Sequence, residues 1–136
     1  MRVLASVVVA WQLVGCSGGE DIDLSASAEE IVTVLALADV EGPQEVTSKS
    51  LTYLTSTGVA PGAPEEISDR AEDTLAGEGW SIRPSGDDAV VVASRDGVAA
   101  QIAAFARRGV NPAPEGSSWV QVSVAEPTEQ LEWAKP

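Results

Sequence analysis

The sequence contains no histidine and one cysteine, Cys16. Without histidine there is no Ser-His-Asp triad and no imidazole metal ligand, which removes most hydrolase and zinc-site designs. A single cysteine forms no internal disulfide. Basic residues are also scarce: 8 Lys and Arg stand against 21 Asp and Glu, a net charge of −13. That balance lacks the positive footprint that phosphate-backbone binding requires, so no nucleic-acid partner is expected. At 136 residues the chain has room for one domain, not two. Apolar residues are not scarce. They make up 44% of the chain, enough to build a core rather than a disordered coil.

The first sixteen residues read MRVLASVVVAWQLVGC. Arg2 gives a short positive start, and Val3 to Trp11 is apolar. The run is shorter than the roughly 20 apolar residues a membrane-spanning helix needs. Its length suits the apolar region of a secretory signal. It closes on Leu13-Val14-Gly15-Cys16, which resembles the lipobox of bacterial lipoproteins. The resemblance implies that the Cys16 thiol carries a diacylglycerol group and that cleavage after Gly15 makes Cys16 the first mature residue. The expected organisation is a signal peptide over 1–15, a lipidated cysteine and flexible tether over 16–26, a domain over 27–126 and an acidic tail over 127–136. Loss of Arg2 with the signal would leave seven basic against 21 acidic residues, a net charge of −14. Anionic lipid repels such a chain, so the acyl chains on Cys16 would be what holds it at the cell membrane, facing away from the cytoplasm. Asp21 and Asp23 in the tether lack the glycine-centred loop and distal glutamate of a calcium site, and read as linker charge.

In the domain, Ser27-Ala28-Glu29-Glu30 has the form of a capping box, and Ile31, Val34, Leu35 and Ala38 recur at helical spacing. This predicts a helix over 28–38, with a strand as the alternative because residues 31–34 are β-branched. Gly42-Pro43 ends either element. Ser50 to Thr57 reads as a strand, followed by a proline-glycine loop from Gly58 to Ala63. Pro64, Glu65 and Glu66 open a second helix, with Ile67, Ala71 and Leu75 as its buried stripe and Glu66–Arg70 as an i,i+4 pair. Gly77 or Gly79 stops it. Trp80 to Arg83 forms a short strand and Ser85 to Asp88 a turn.

Asp96-Gly97 signals a two-residue hairpin that sets Arg95 opposite Val98, Ala93 opposite Ala100 and Val91 opposite Ile102. The competing reading is a helix from Val98 to Arg108, which alanine content favours. The hairpin is preferred because Ser118 to Glu126 alternates as a strand and needs neighbours. The predicted fold is α+β, with one or two helices packed on an antiparallel sheet of four or five strands.

Thr52-Tyr53, Leu75 with Gly79-Trp80, Arg95-Asp96-Gly97 and Trp119 to Val124 together resemble a recurring type of small secreted or lipid-anchored protein of high-GC Gram-positive bacteria. The likeness covers about 75 residues and implies a helix on an antiparallel sheet. It implies no activity. The alanine-rich stretch from Val98 to Ala106 departs from that pattern.

Catalytic candidates are few. Glu65-Glu66, Glu72-Asp73 and Asp87-Asp88 are adjacent carboxylates, but neighbouring helix residues diverge by about 100° and do not converge on a substrate. They read as solvated charge. A serine nucleophile would need lysine as its base, and only Lys49 and Lys135 exist. Trp80 and Trp119 read as packing anchors, with a ligand-stacking surface as the alternative. Trp133, in the acidic tail, either folds back over the sheet or meets a partner. The expectation is a non-enzymatic binding or accessory module of the envelope, without cofactor, catalytic residue or metal site, and with an envelope protein or ligand as partner. The alternatives are a regulatory or structural partner of a membrane complex and an enzyme using carboxylates alone.

Overall fold

The computed structural model describes residues 23–48 and 51–136. Helix α1 spans Leu24–Val34 and helix α2 Pro64–Gly77. The strands are β1 (Ala38–Ser48), β2 (Leu51–Pro61), β3 (Ser81–Arg83), β4 (Val90–Arg95), β5 (Val98–Phe105), β6 (Arg107–Arg108), β7 (Asn111–Pro112) and β8 (Ser117–Ala125). Six of them form one antiparallel sheet in the order β1-β2-β8-β5-β4-β3, and β6 and β7 make a separate two-stranded ribbon. The fold is therefore α+β with two helices, as expected, and its main sheet has one strand more than the upper expectation.

Alternate residues of the central strands face the helices. Val120, Val122 and Val124 of β8 are fully buried beneath the helices, beside Ala100 and Ile102 of β5 and Val91 and Ala93 of β4. Both helices lay their apolar stripes on this face: Ala28 and Ile31 from α1, and Ile67, Ala71 and Leu75 from α2. Each branched side chain so buried contributes about 1.5–3 kcal/mol, so this layer holds the fold together. Among the described residues no helix is long and apolar enough to cross a membrane.

The Asp96-Gly97 hairpin forms in the predicted register, with Arg95 opposite Val98, Ala93 opposite Ala100 and Val91 opposite Ile102. Both turn residues have positive φ, 52° and 80°, which two-residue hairpins of this twist require. Residues 98–105 are strand, not helix. Burial between β4 and β8 outweighs the helical preference of the alanines, since β5 pairs with both.

Four boundaries differ from the sequence reading. Helix α1 begins four residues early, because Asp23 rather than Ser27 is its cap: Asp23 Oδ1 accepts from the Ala26 N–H at 3.0 Å. It also ends early. Ala36 takes a left-handed φ of 56°, and the Leu37 and Ala36 N–H groups close back onto the Val32 and Thr33 carbonyls, a helix stop that usually carries glycine. The chain from Ala38 to Ser48 is then a strand that Gly42-Pro43 does not end. Instead the pairing with β2 shifts register between Ala38 and Gln44, and proline is tolerated because β1 is an edge. Finally, β2 continues through Gly58 to Pro61 instead of entering a loop at Gly58. Glycine is needed there since a Cβ would stand 2.9 Å from Leu37 Cβ.

Helix α2 keeps its predicted start at Pro64 and its stripe. The Glu66–Arg70 pair does not form. Glu66 Oε1 accepts from the Ala63 N–H at 2.8 Å, and Arg70 Nη2 donates to the Pro61 carbonyl at 2.7 Å. Both side chains serve the helix start, where unpaired backbone groups outcompete a surface ion pair. The chain reverses at Gly79, with φ 93°.

Candidate functional site

Two features stand apart from the packed core, an open cleft beside α2 and the outer face of the sheet. The cleft lies between α2 and the turn joining β3 to β4, and encloses about 720 Å³. Glu65, Asp69 and Glu72 of α2 form one rim. Their spacing of four and three residues places all three on one helix stripe. Asp87 and Asp88 line the opposite side. That turn is fixed by its own hydrogen bonds: Ser85 Oγ lies 2.7 Å from the Val90 carbonyl and Asp87 Oδ1 accepts from the Ala89 N–H at 2.8 Å. Between the rims, Ile82, Pro84, Val90 and Val91 give an apolar wall. Arg83 is the cleft's one basic residue, and its Nη1 donates to the Lys135 carbonyl.

Two of the three adjacent carboxylate pairs of the sequence are thus split, while Asp87 and Asp88 stay together. Glu65 and Glu72 face the cleft with Asp69, whereas Glu66 caps its helix. All five rim carboxylates are exposed, in keeping with solvated charge. What the sequence reading passed over is Asp69: only the 65, 69, 72 spacing, rather than adjacency, shows that the charges share a face. Among the described residues no three acidic, cysteine or histidine side chains gather closely enough to hold a metal ion.

On the outer face, Trp119 is half-buried, donates from Nε1 to the Asn111 carbonyl at 3.1 Å, and lies beneath the Arg108 guanidinium, 5.5 Å from its ring centroid. Arg108 also pairs with Glu41 at 3.1 Å, tying the β6–β7 ribbon to β1. Trp133 folds back. The tail closes with a 3-10 turn over Glu132–Ala134, and the Trp133 ring meets Tyr53 edge-on at 5.8 Å. Ala134 is buried against Ala99 and Ala125. Trp80 is 4% exposed and belongs to the core beneath the helices. All three tryptophans among the described residues are engaged in packing.

Lys135 pairs with Glu132 at 3.2 Å. Asp23 is occupied as a helix cap. Cys16, Asp21 and Lys49, with the lipobox as a whole, lie outside the described residues. Comparison of the chain with protein-family models, with curated proteins and with solved structures gave no match.

Proposed function

We propose that the protein is a lipid-anchored extracytoplasmic lipoprotein whose α+β domain acts as a non-enzymatic binding or accessory module of the cell envelope. The observation that carries the reading is Leu13-Val14-Gly15-Cys16, placed at the end of a charged start and an apolar run. Six residues separate Cys16 from Asp23, where α1 is capped. A segment of that length reaches at most about 25 Å, which would keep the domain close to the lipid headgroups. The acidic surface favours the same reading, since it supplies no electrostatic attraction of its own to an anionic membrane. The open cleft supports a binding role because it offers charge and shape without a nucleophile–base pair.

Metabolic labelling with an alkyne fatty acid tests the anchor. The expected result is a labelled protein in the membrane fraction, with label lost in Cys16→Ala. Absence of label, or label that persists in Cys16→Ala, rejects it.

A further inference from the structure

The sheet face turned away from the helices is uncharged, in a chain otherwise rich in acid. Strands β2, β4, β5 and β8 contain no Asp or Glu, although the chain has 21. Their one basic residue, Arg95, turns to Trp80 and Glu30 on the helix side. On the outer face Arg83, Val92, Gln101, Ser123, Thr55 and Gln44 pair in register as one row across all six strands. Thr57, Gln121, Ala103 and Val90 form the row beside it. Neighbouring strands stand about 4.8 Å apart, so the first row is about 24 Å long. Amides and hydroxyls that both donate and accept dominate these rows, which suits a ligand rich in hydroxyls and without charge.

A second, independent observation is a cavity at the Arg83 end of the first row. It encloses about 200 Å³ between the sheet and the tail, and is lined by Arg83, Val92, Gln101, Glu132 and Trp133 among others. That volume holds about twelve non-hydrogen atoms at the density of a protein interior, the size of one hexose. Its two charged residues have opposite signs, so the cavity is neutral as a whole. Arg83 spends Nη1 on the Lys135 carbonyl and Glu132 spends Oε1 on Lys135 Nζ, which leaves further guanidinium N–H groups and a second carboxylate oxygen. Gln101 brings an amide from the rigid centre of the sheet, and the half-buried Trp133 brings an indole ring. An aromatic ring beside an amide and a balanced charge pair matches the C–H face and the hydroxyls of a pyranose.

We propose that the outer face binds a neutral glycan, with one pyranose ring in the cavity against Trp133 and the chain continuing along the uncharged row. Gln101, Arg83 and Glu132 hydrogen-bond the hydroxyls of the ring in the cavity, and Ser123, Thr55 and Gln121 meet those of the next rings. The acidic surface elsewhere repels anionic polymers, which leaves the neutral ones to this face. The assignment rests on the binding-module reading but not on the lipid anchor. Fatty-acid labelling reports on Cys16 and glycan titration on the outer face, so either can fail without the other.

The test is a titration of the full chain, in a detergent without a sugar headgroup, followed by amide and indole NMR. The probes are cellotriose, maltotriose and the N-acetylglucosamine trimer, each to about 10 mM, which detects a millimolar Kd. At least one is expected to shift the Trp133 indole and Gln101 side-chain resonances saturably, at one site per chain. The affinity stays the same between about 0.05 and 0.5 M salt, because a neutral ligand has no charge to screen. Gln101→Ala weakens it by about fivefold, and Trp133→Ala by at least about fivefold. Gln101→Ala decides between a site and a merely loosened tail, since Gln101 lies on β5 and the amide spectrum shows whether the tail keeps its place. Glu29→Gln and Asp73→Asn, exposed on α1 and α2, leave binding unchanged. Absence of a shift with all three probes, shifts confined to other faces, or equal weakening by the helix variants overturns the proposal. So does tighter, salt-sensitive binding of trigalacturonate, which would make Arg83 an anion site.

Discussion

The Arg95 guanidinium lies over the Trp80 ring, 4.6 Å from its centroid. The same group reaches Glu30 Oε1 at 2.6 Å through Nη2 and the Glu78 carbonyl at 2.9 Å through Nη1. One side chain in the hairpin thus ties together α1, the end of α2 and the tryptophan beneath them. Planarity matters here, because stacking and two divergent donors are made at once. Arg95→Ala should lower stability by about 2 kcal/mol, most of it from the stacked contact on a buried ring. Arg95→Lys should lose about half as much, keeping charge but not the fork. Urea unfolding followed by circular dichroism measures both. Equal losses for the two variants would show that charge alone matters.

The same pair sets an acid dependence. The hydrogen bond from Arg95 holds the Glu30 carboxyl below its ordinary value of 4.5, aided by the Arg95 charge and opposed by burial. A carboxylate depressed in the folded state contributes stability above its unfolded pKa and loses it as pH falls through the folded value. With the Glu30 side chain 35% exposed, solvent screens the pair to less than about 1 kcal/mol. Glu30→Gln should therefore be less stable than the unsubstituted chain at pH 7, and the gap should close as pH falls below 4.5. Unfolding free energies at neutral and acid pH give the answer. A gap of constant size would exclude the ion pair as its source.

How much of this was legible follows from the kind of signal each element carries. The β4–β5 hairpin was readable because Asp96-Gly97 and the alternation around it agree. Helix α2 was readable because Pro64, the first-turn glutamates and the Ile67–Ala71–Leu75 stripe agree. Helix α1 was misplaced because two caps compete in the sequence, and because its stop at Ala36 uses an alanine in a conformation that gives no glycine signal. Strand β1 was missed because its residues are mostly exposed and have no alternating apolar pattern; what holds it is backbone pairing with β2. The cleft needs α2 and the β3–β4 turn to face each other, a relation no local pattern encodes. Only its helical rim, at 65, 69 and 72, was present in the sequence.

Gly42 offers a sharp test of the β1 irregularity. Its φ is 97°, and a Cβ there would stand 2.7 Å from the Thr55 carbonyl oxygen on β2. Gly42→Ala combines backbone strain with a collision against a paired strand, where backbone cannot give way cheaply. A loss of about 2 kcal/mol or more is expected, read as a lower thermal midpoint. Gly77→Ala is the control, since a Cβ there meets nothing within 4 Å and the position is helical. It should be neutral or stabilising by up to about 1 kcal/mol. Equal effects from the two substitutions would mean that β1 does not hold this geometry.

Trp133 decides whether the tail belongs to the domain. Its ring meets Tyr53 edge-on, the neighbouring Ala134 is buried at 0% exposure, and the Thr128 N–H donates to the Ala134 carbonyl at 2.8 Å. These contacts close the segment back on itself while covering Ala99 and Ala125. Trp133→Ala removes the largest apolar group that holds it, at a cost of about 1–2 kcal/mol for a half-buried ring. The more telling readout is local. Hydrogen exchange at the Thr128 and Ala134 amides should accelerate in Trp133→Ala, while the Val120 to Val124 amides of the sheet centre keep their protection. Trp133→Phe, which keeps an aromatic edge against Tyr53, should fall between the two. Unchanged exchange at Thr128 in Trp133→Ala would show that Ala134 and the backbone bonds hold the tail without the ring.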